Sequence, residues 1–207
     1  MTKYVVMADS HGYAVPDIPA GDVLIHCGDI TGRDRLEEYK DFEHWTFPCF
    51  HSYKILCPGN HDRVIEHDVK LASLLMPSWK ILIDEGTIID GTKIYSTPYQ
   101  PFFNSWAFNV FSDAKRRSIF SRIPDDVELL ITHVPPFGIL DANGRGEHIG
   151  DKVLAERISQ LKNLKVHVFG HNHGEYGVKE WGCVKYVNAS VCNECYDLKN
   201  KPTTFEL

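Results

Sequence analysis

Apolar residues along the chain come in short blocks closed by polar residues. "KYVVMAD", "DVLIHCGD" and "SYKILCPGNHD" each hold a strand-length apolar run. Between the second and third, Leu36, Tyr39, Phe42 and Trp45 recur at threes in "RDRLEEYKDFEHWTF". That spacing predicts a helix with one buried face, and so a β-α-β crossover. "VIEHDVKLASLLM" predicts a second helix ending before Pro77. In "EGTIIDGTKIYSTP", Asp90 and Gly91 between two β-rich runs predict a hairpin, so antiparallel strands join an α/β plan. "SDAKRRSIFSRI" and "HIGDKVLAERISQL" predict helices, "VELLITH", "VHVF", "VKYVNAS" and "TTFEL" predict strands, and "PPFGILDANGRG" predicts a long loop.

Composition narrows this plan. With 207 residues, 43% hydrophobic and 24% charged, the chain has the balance of a soluble protein with one core, expected as a single domain over 1–207. The longest apolar runs are far short of a bilayer span, and the first is too short for a signal-peptide core. A cytoplasmic protein without membrane contact is expected. A net charge of −6 argues against a stable nucleic-acid clamp, which depends on Lys and Arg. A small nucleotide is still admitted, because metal ions can meet its charge locally. Cys27 and Cys57 sit in strand patterns as small hydrophobes, and the lone Cys192-x-x-Cys195 pair lacks the second pair that a zinc site needs.

The strand ends change the picture most. Asp9 and His11 follow the first strand, Asp29 the second, Asn60, His61 and Asp62 the third, His133 the "LLIT" strand, and His171 and His173 the "VHVF" strand. Ligands of sheets with parallel strands bind outside the carboxyl ends. One polar strand tip is ordinary, whereas five carrying carboxylate, amide and imidazole groups point to a site. These donors suit divalent Mn, Fe or Zn, and the absence of cysteine argues against a closed structural zinc site. They outnumber what one ion takes, so two ions sharing a carboxylate are expected. Residues two apart in extended chain lie about 6.6 Å apart on one side, at about 3.3 Å per residue, which predicts His171 and His173 converging on neighbouring ions.

The ordered set "DSH", "GD", "GNHD", "TH" and "GHNH" resembles the calcineurin-like metallophosphoesterases. Nearest is the branch of metallophosphoesterase-domain-containing proteins, which "YSTPYQPFFNSWAFN", "ITHVPPFGILD", "HVFGHNHGEYG" and "YVNASVC" also resemble. The resemblance implies a four-layer α-β-β-α sandwich of two stacked mixed sheets flanked by helices. It implies a first metal held by Asp9, His11, Asp29 and His173, and a second by Asp29, Asn60, His133 and His171. Some animal members replace the first histidine of the last motif by glycine and lose activity, but this chain keeps His171.

The expected activity is phosphodiester hydrolysis by attack of a metal-bridging hydroxide, with two divalent ions, Mn²⁺ foremost and Fe, Zn or Ni as alternatives. His61, beside a ligand position without matching one, is expected to be the general acid, with Asp62 orienting its ring or capping the next helix. The expected substrate is a small nucleotide or cyclic nucleotide. Aromatic residues from Tyr99 to Phe111 either pack or stack a base, and Arg145, Gly146 and His148 lie on a loop that could approach it. His26 and His167, inside strands, are expected to be structural. A protein phosphatase fits less well, because "GDITGRD" displaces the arginine of that group's second motif. A DNA nuclease lacks basic surplus and extra domains here, and a binding scaffold that has lost its chemistry would show broken ligands.

Overall fold

A computed structural model describes residues 1–207. Its strands are β1 (Lys3–Met7), β2 (Val23–His26), β3 (Tyr53–Leu56), β4 (Lys80–Ile81), β5 (Glu85–Ile89), β6 (Thr92–Thr97), β7 (Gln100–Pro101), β8 (Asn109–Val110), β9 (Leu129–Thr132), β10 (Val166–Phe169), β11 (Gly177–Trp181), β12 (Val184–Asn188) and β13 (Thr203–Glu206). The helices are α1 (Leu36–Thr46), α2 (Arg63–His67), α3 (Val69–Leu75), α4 (Asp113–Phe120) and α5 (Lys152–Ile158). One sheet runs β13-β1-β2-β3-β4 and the other β11-β12-β10-β9-β6-β5, with β7 and β8 paired apart. In the first, β1 to β4 are parallel and β13 is antiparallel to β1. In the second, β6, β9, β10 and β12 are parallel, with β5 and β11 antiparallel at the edges.

Alternation along the strands assigns the layers. Tyr4, Val6, Val23, Ile25 and Ile55 face Ile94, Leu129, Ile131, Val166 and Val168 in a core between the sheets. Their neighbours Val5, Met7, Leu24 and Leu56 face outward onto Tyr39 and Phe42 of α1, Ile65 of α2 and Ala72 of α3. On the far side, Tyr95, Leu130, Phe169 and Tyr186 pack against Ile119, Phe120, Leu154 and Ile158 of α4 and α5. Strands buried on both faces explain the near-continuous apolar runs. The result is the expected four-layer α-β-β-α sandwich. No helix is long and apolar enough to cross a membrane.

Local chemistry explains the element boundaries. Asp90 and Gly91 have φ of 48° and 86°, the left-handed pair that a tight β5–β6 hairpin requires. Ser112 caps α4 and Asp151 caps α5 through side-chain bonds to the first-turn amides. Two expectations are corrected. The helix predicted over "VIEHDVKLASLLM" breaks at Asp68, which leaves helical geometry and caps α3 through Leu71 N. On α1 the buried face is Tyr39, Phe42 and Thr46, while Leu36 is 40% exposed, because the helix presents an i, i+3, i+7 stripe to the sheet. Sequence periodicity also gave no signal for β11, whose Val178 and Trp181 are exposed.

His26 and His167 lie fully buried in β2 and β10. His26 Nδ1 accepts from Gly28 N–H (3.2 Å), leaving Nε2 to bond Ser10 Oγ (3.1 Å), and His167 Nε2 bonds Thr132 Oγ1 (2.9 Å). Burial pushes both pKa values down to about 3. Between pH 6.5 and 3 the unfolded chain therefore binds more protons, and stability falls as pH drops through that window. The slope is about 1.4 kcal/mol per pH unit for each histidine. Urea unfolding of His167→Gln, which keeps a donor for Thr132, is expected to show a slope shallower by about that amount. An unchanged slope would mean that His167 is already protonated in the fold.

Candidate metal centre

The carboxyl ends of β1, β2 and β3 in one sheet meet those of β9 and β10 in the other along one edge of the sandwich. The chain must turn sharply there, and Asp9, His11, Asp29 and His171 have φ of 57°, 44°, 57° and 67°. Left-handed backbone at non-glycine residues is held only where the surroundings determine it. Gly28, at φ 99°, is required for a second reason: a Cβ there would lie 2.6 Å from both Gly59 N and His133 Nδ1.

All seven residues expected as ligands come together at this edge, with His61 among them. Asp9 Oδ2 accepts from His171 N–H (2.8 Å) and from the Ser190 hydroxyl, while Oδ1 lies 3.7 Å from His173 Nε2. Asp29 Oδ1 accepts from His61 N–H (2.8 Å) and lies 3.4 Å from His133 Nε2. Its Oδ2 is 3.9 Å from both His11 Nε2 and His61 Nε2. Asn60 Oδ1 faces His133 Nε2 at 2.8 Å and His171 Nδ1 at 2.9 Å. The ligand atoms of Asp9, His11 and His173, of His11, Asp29 and His61, and of Asp9, Asp29 and His133 each gather within 4.8 Å.

Orientation of the rings is fixed from behind. His133 Nδ1–H donates to the Cys27 carbonyl (2.9 Å) and His173 Nδ1–H to the Asn193 carbonyl (3.0 Å), which aims both Nε2 lone pairs inward. His173 Nε2 then meets His11 Nε2 at 3.1 Å, and His133 Nε2 meets an amide oxygen. Asp9 Oδ1 and His11 Nδ1 are buried without a partner. Lone pairs thus point at one another in a dry place, and this donor set fits divalent cations. In competition with a cation, the Asp9 and Asp29 carboxylates also draw protons onto the His133 and His173 nitrogens. Burial alone would raise Asp9 and Asp29, but His173 and His133 outweigh it at Asp9, and His133 and His11 at Asp29, holding both below the usual carboxylate range. Burial opposes charge on His133, yet Asp29 pushes its pKa up to about 9, whereas burial and the nearby His133 push His171 down to about 4.

Comparison with known proteins gives this edge its family. The family model described as calcineurin-like phosphoesterase matches residues 4–175. The chain belongs to the calcineurin-like phosphoesterase family. Metallophosphoesterase domain-containing protein 1 of Homo sapiens and of Mus musculus are each 32% identical over 231 residues, covering all of this chain and 71% of theirs. A solved crystal structure superposes with a TM-score of 0.68 at 16% identity over 90% of each chain. The sulfate thiohydrolase SoxB of Thermus thermophilus, solved with glycerol, superposes at 0.51 and 11% identity over 91% of this chain and 51% of that one. These structural likenesses concern the fold alone.

Within this calcineurin-like phosphoesterase the geometry corrects two expectations. His171 and His173 do not lie in extended chain: β10 stops at Phe169, His171 is left-handed and His173 opens a short 3₁₀ turn. They still diverge, His171 toward Asn60 and His173 toward His11, because the turn rotates them apart. Asp62 does not orient His61, whose Nδ1 faces the Gly32 carbonyl at 3.4 Å, and it makes no side-chain bond to α2. Its buried carboxylate accepts instead from Gly59 N–H (2.8 Å), Asp29 N–H (2.9 Å), Thr31 N–H (3.2 Å) and the Thr31 hydroxyl (3.2 Å). It fills a nest of amides that fastens the Asp29 turn to the Asn60 loop. Burial and the charge of Asp29 raise its pKa to about 7.

Several residues at the site carried no signal of their own. Ser190 and Asn193 lie past β12, and Tyr196 packs its ring against His11 (4.8 Å) and His173 (5.0 Å). Trp106 stacks on His61 at 4.1 Å. Within "YVNASVC" the resemblance touched Ser190, and Trp106 was one of the aromatic residues of the Tyr99–Phe111 segment, whereas Asn193 and Tyr196 had no signal. Arg145 and Gly146 lie on an exposed turn organised by Asn143, and His148 is taken by Asp141 (2.6 Å). Cys192 is buried and Cys195 exposed, both as free thiols.

Asp62→Asn puts an amide among donors that need an oxygen. Mn²⁺ affinity measured by calorimetry is expected to fall about 10- to 100-fold, the usual loss when a group orienting a ligand is altered, with circular dichroism unchanged. Unaltered Mn²⁺ binding would contradict this role.

Proposed function

We propose that the protein is a metal-dependent phosphodiesterase acting on small nucleotides or cyclic nucleotides with two divalent ions, Mn²⁺ foremost. The observation that carries this reading is the set of inward-facing lone pairs around Asp29, a buried carboxylate within 4 Å of three imidazoles. Asp9, His11, Asp29 and His173 would hold one ion, and Asn60, His133 and His171 the other, with Asp29 shared. When bound, such ions draw a nucleophile from water near pH 7 and neutralise the phosphoryl oxygens.

The chain's own residues do the rest. His61 gives the Nε2 proton to the ester oxygen that departs as the P–O bond breaks. Its ring is held between Trp106, stacked at 4.1 Å, and the edge of His11 at 4.7 Å. Through Asp29, Asp62 acts as a positioning residue. The dry surroundings of Asp9 and Asp29, both almost fully buried, strengthen every electrostatic contact made there.

The deciding experiment offers nitrophenyl mono- and diesters, then 2′,3′- and 3′,5′-cyclic nucleotides, with Mn²⁺, Ni²⁺ and Zn²⁺. Diester turnover is expected to exceed monoester turnover; the reverse would make the enzyme a monoesterase, and no turnover at all would favour a binding scaffold. His61→Ala is expected to keep its metals while turnover falls about 10²- to 10⁴-fold. Because His61 also lies within reach of His11 and Asp29, metal loss in that variant would reassign it as a ligand. Asn60→Ala and His171→Ala are expected to lower metal stoichiometry instead.

A further inference from the structure

The aromatic segment after β6 divides into two sets. Ala107, Phe108 and Val110 are buried, and Tyr99 packs partly into the core. Phe102, Phe103 and Phe111 are left outside at 49%, 55% and 78% exposure. Phe102 and Phe111 stack on each other at 4.4 Å, whereas Phe103 stands edge-on to His171 with ring centroids 6.5 Å apart. Nothing in the core calls for Phe103 to be there.

What holds it there is a single amide. Asn109 Oδ1 accepts from Phe103 N–H (3.1 Å), and Asn109 Nδ2 lies within bonding distance of the carbonyls of Phe103 (3.3 Å), Asn104 (3.0 Å) and Trp106 (2.9 Å). Gln100 Nε2 in turn donates to Asn109 Oδ1 (3.3 Å). Four backbone groups of the loop are thus tied to one side chain. An apolar ring kept in water beside a phosphoryl site, on a braced loop, is suited to a planar group of the ligand.

We propose that Phe103 is the stacking platform for the nucleobase of the substrate, on the His171 side of the site. This rests on the phosphoesterase reading and goes beyond it in assigning the subsite that recognises the organic part of the ester. A base has a π-face whatever its sequence identity, so the platform selects nucleotides over alkyl phosphates without choosing strongly among bases.

The test is calorimetric titration of the full chain with Mn²⁺ present, using adenosine 5′-monophosphate and inorganic phosphate. Wild type is expected to bind the nucleotide more tightly than phosphate. Phe103→Ala is expected to weaken nucleotide binding by about 5- to 150-fold, the range of a lost base–aromatic stack, with phosphate affinity unchanged, and Phe103→Trp to preserve it. Equal loss for both ligands would make Phe103 a structural support and overturn the proposal, as would an unaltered nucleotide affinity in Phe103→Ala. Failure of wild type to bind phosphate would instead strike the phosphoesterase reading itself.

Discussion

Everything at the open edge of the sandwich depends on keeping Asp9 and Asp29 charged while they are almost fully buried. Burial of a carboxylate is strongly unfavourable unless neighbouring groups compensate. Here the compensation comes from backbone N–H groups, the Ser190 hydroxyl and a ring of imidazoles drawn from four strand ends. Because those imidazoles are themselves aimed by carbonyls of Cys27 and Asn193, the arrangement is set before any ligand arrives. Preorganisation of this kind is what makes polar groups effective in a low-dielectric site.

The four layers serve that edge. Two sheets packed face to face bring the carboxyl ends of their parallel strands side by side, so that Asp29 after β2 can meet His133 after β9. A single sheet would spread the same residues along a line. Left-handed turns at Asp9, His11, Asp29 and His171 are the local strain of this convergence, and the apolar cores on both faces of each sheet hold them in place. The Asp62 carboxylate ties two of the turns together, which makes it part of the scaffold beneath the ligands rather than of the chemistry above them.

Around the polar centre the walls are aromatic, and they come from loops far apart in sequence. Trp106 braces His61, Tyr196 lies against His11 and His173, and Phe103 stands beside His171. Each ring touches a polar residue of the cluster, so one loop substitution can alter both access and ring orientation. That coupling separates the roles of Trp106, half-buried on His61, and of Phe103, exposed and free to meet a ligand.

Much of this was legible in the chain alone. Periodicity and turn chemistry determined most strands and helices, because the central strands are buried on both faces and each hairpin or cap needs particular residues. Polar residues at five strand ends determined the seven inward-facing donors, because open sheets bind ligands there. Tertiary structure decided what depends on direction rather than on spacing. Asp62 turns away from its neighbour His61 because four donors of the Asp29 turn and the Gly59 N–H of its own loop surround it, and α1 rotates its buried face because the sheet beneath selects it. Ser190, Asn193, Tyr196 and Trp106 join the site only through tertiary contacts, such as Ser190 with Asp9 and Trp106 with His61, that no local pattern encodes.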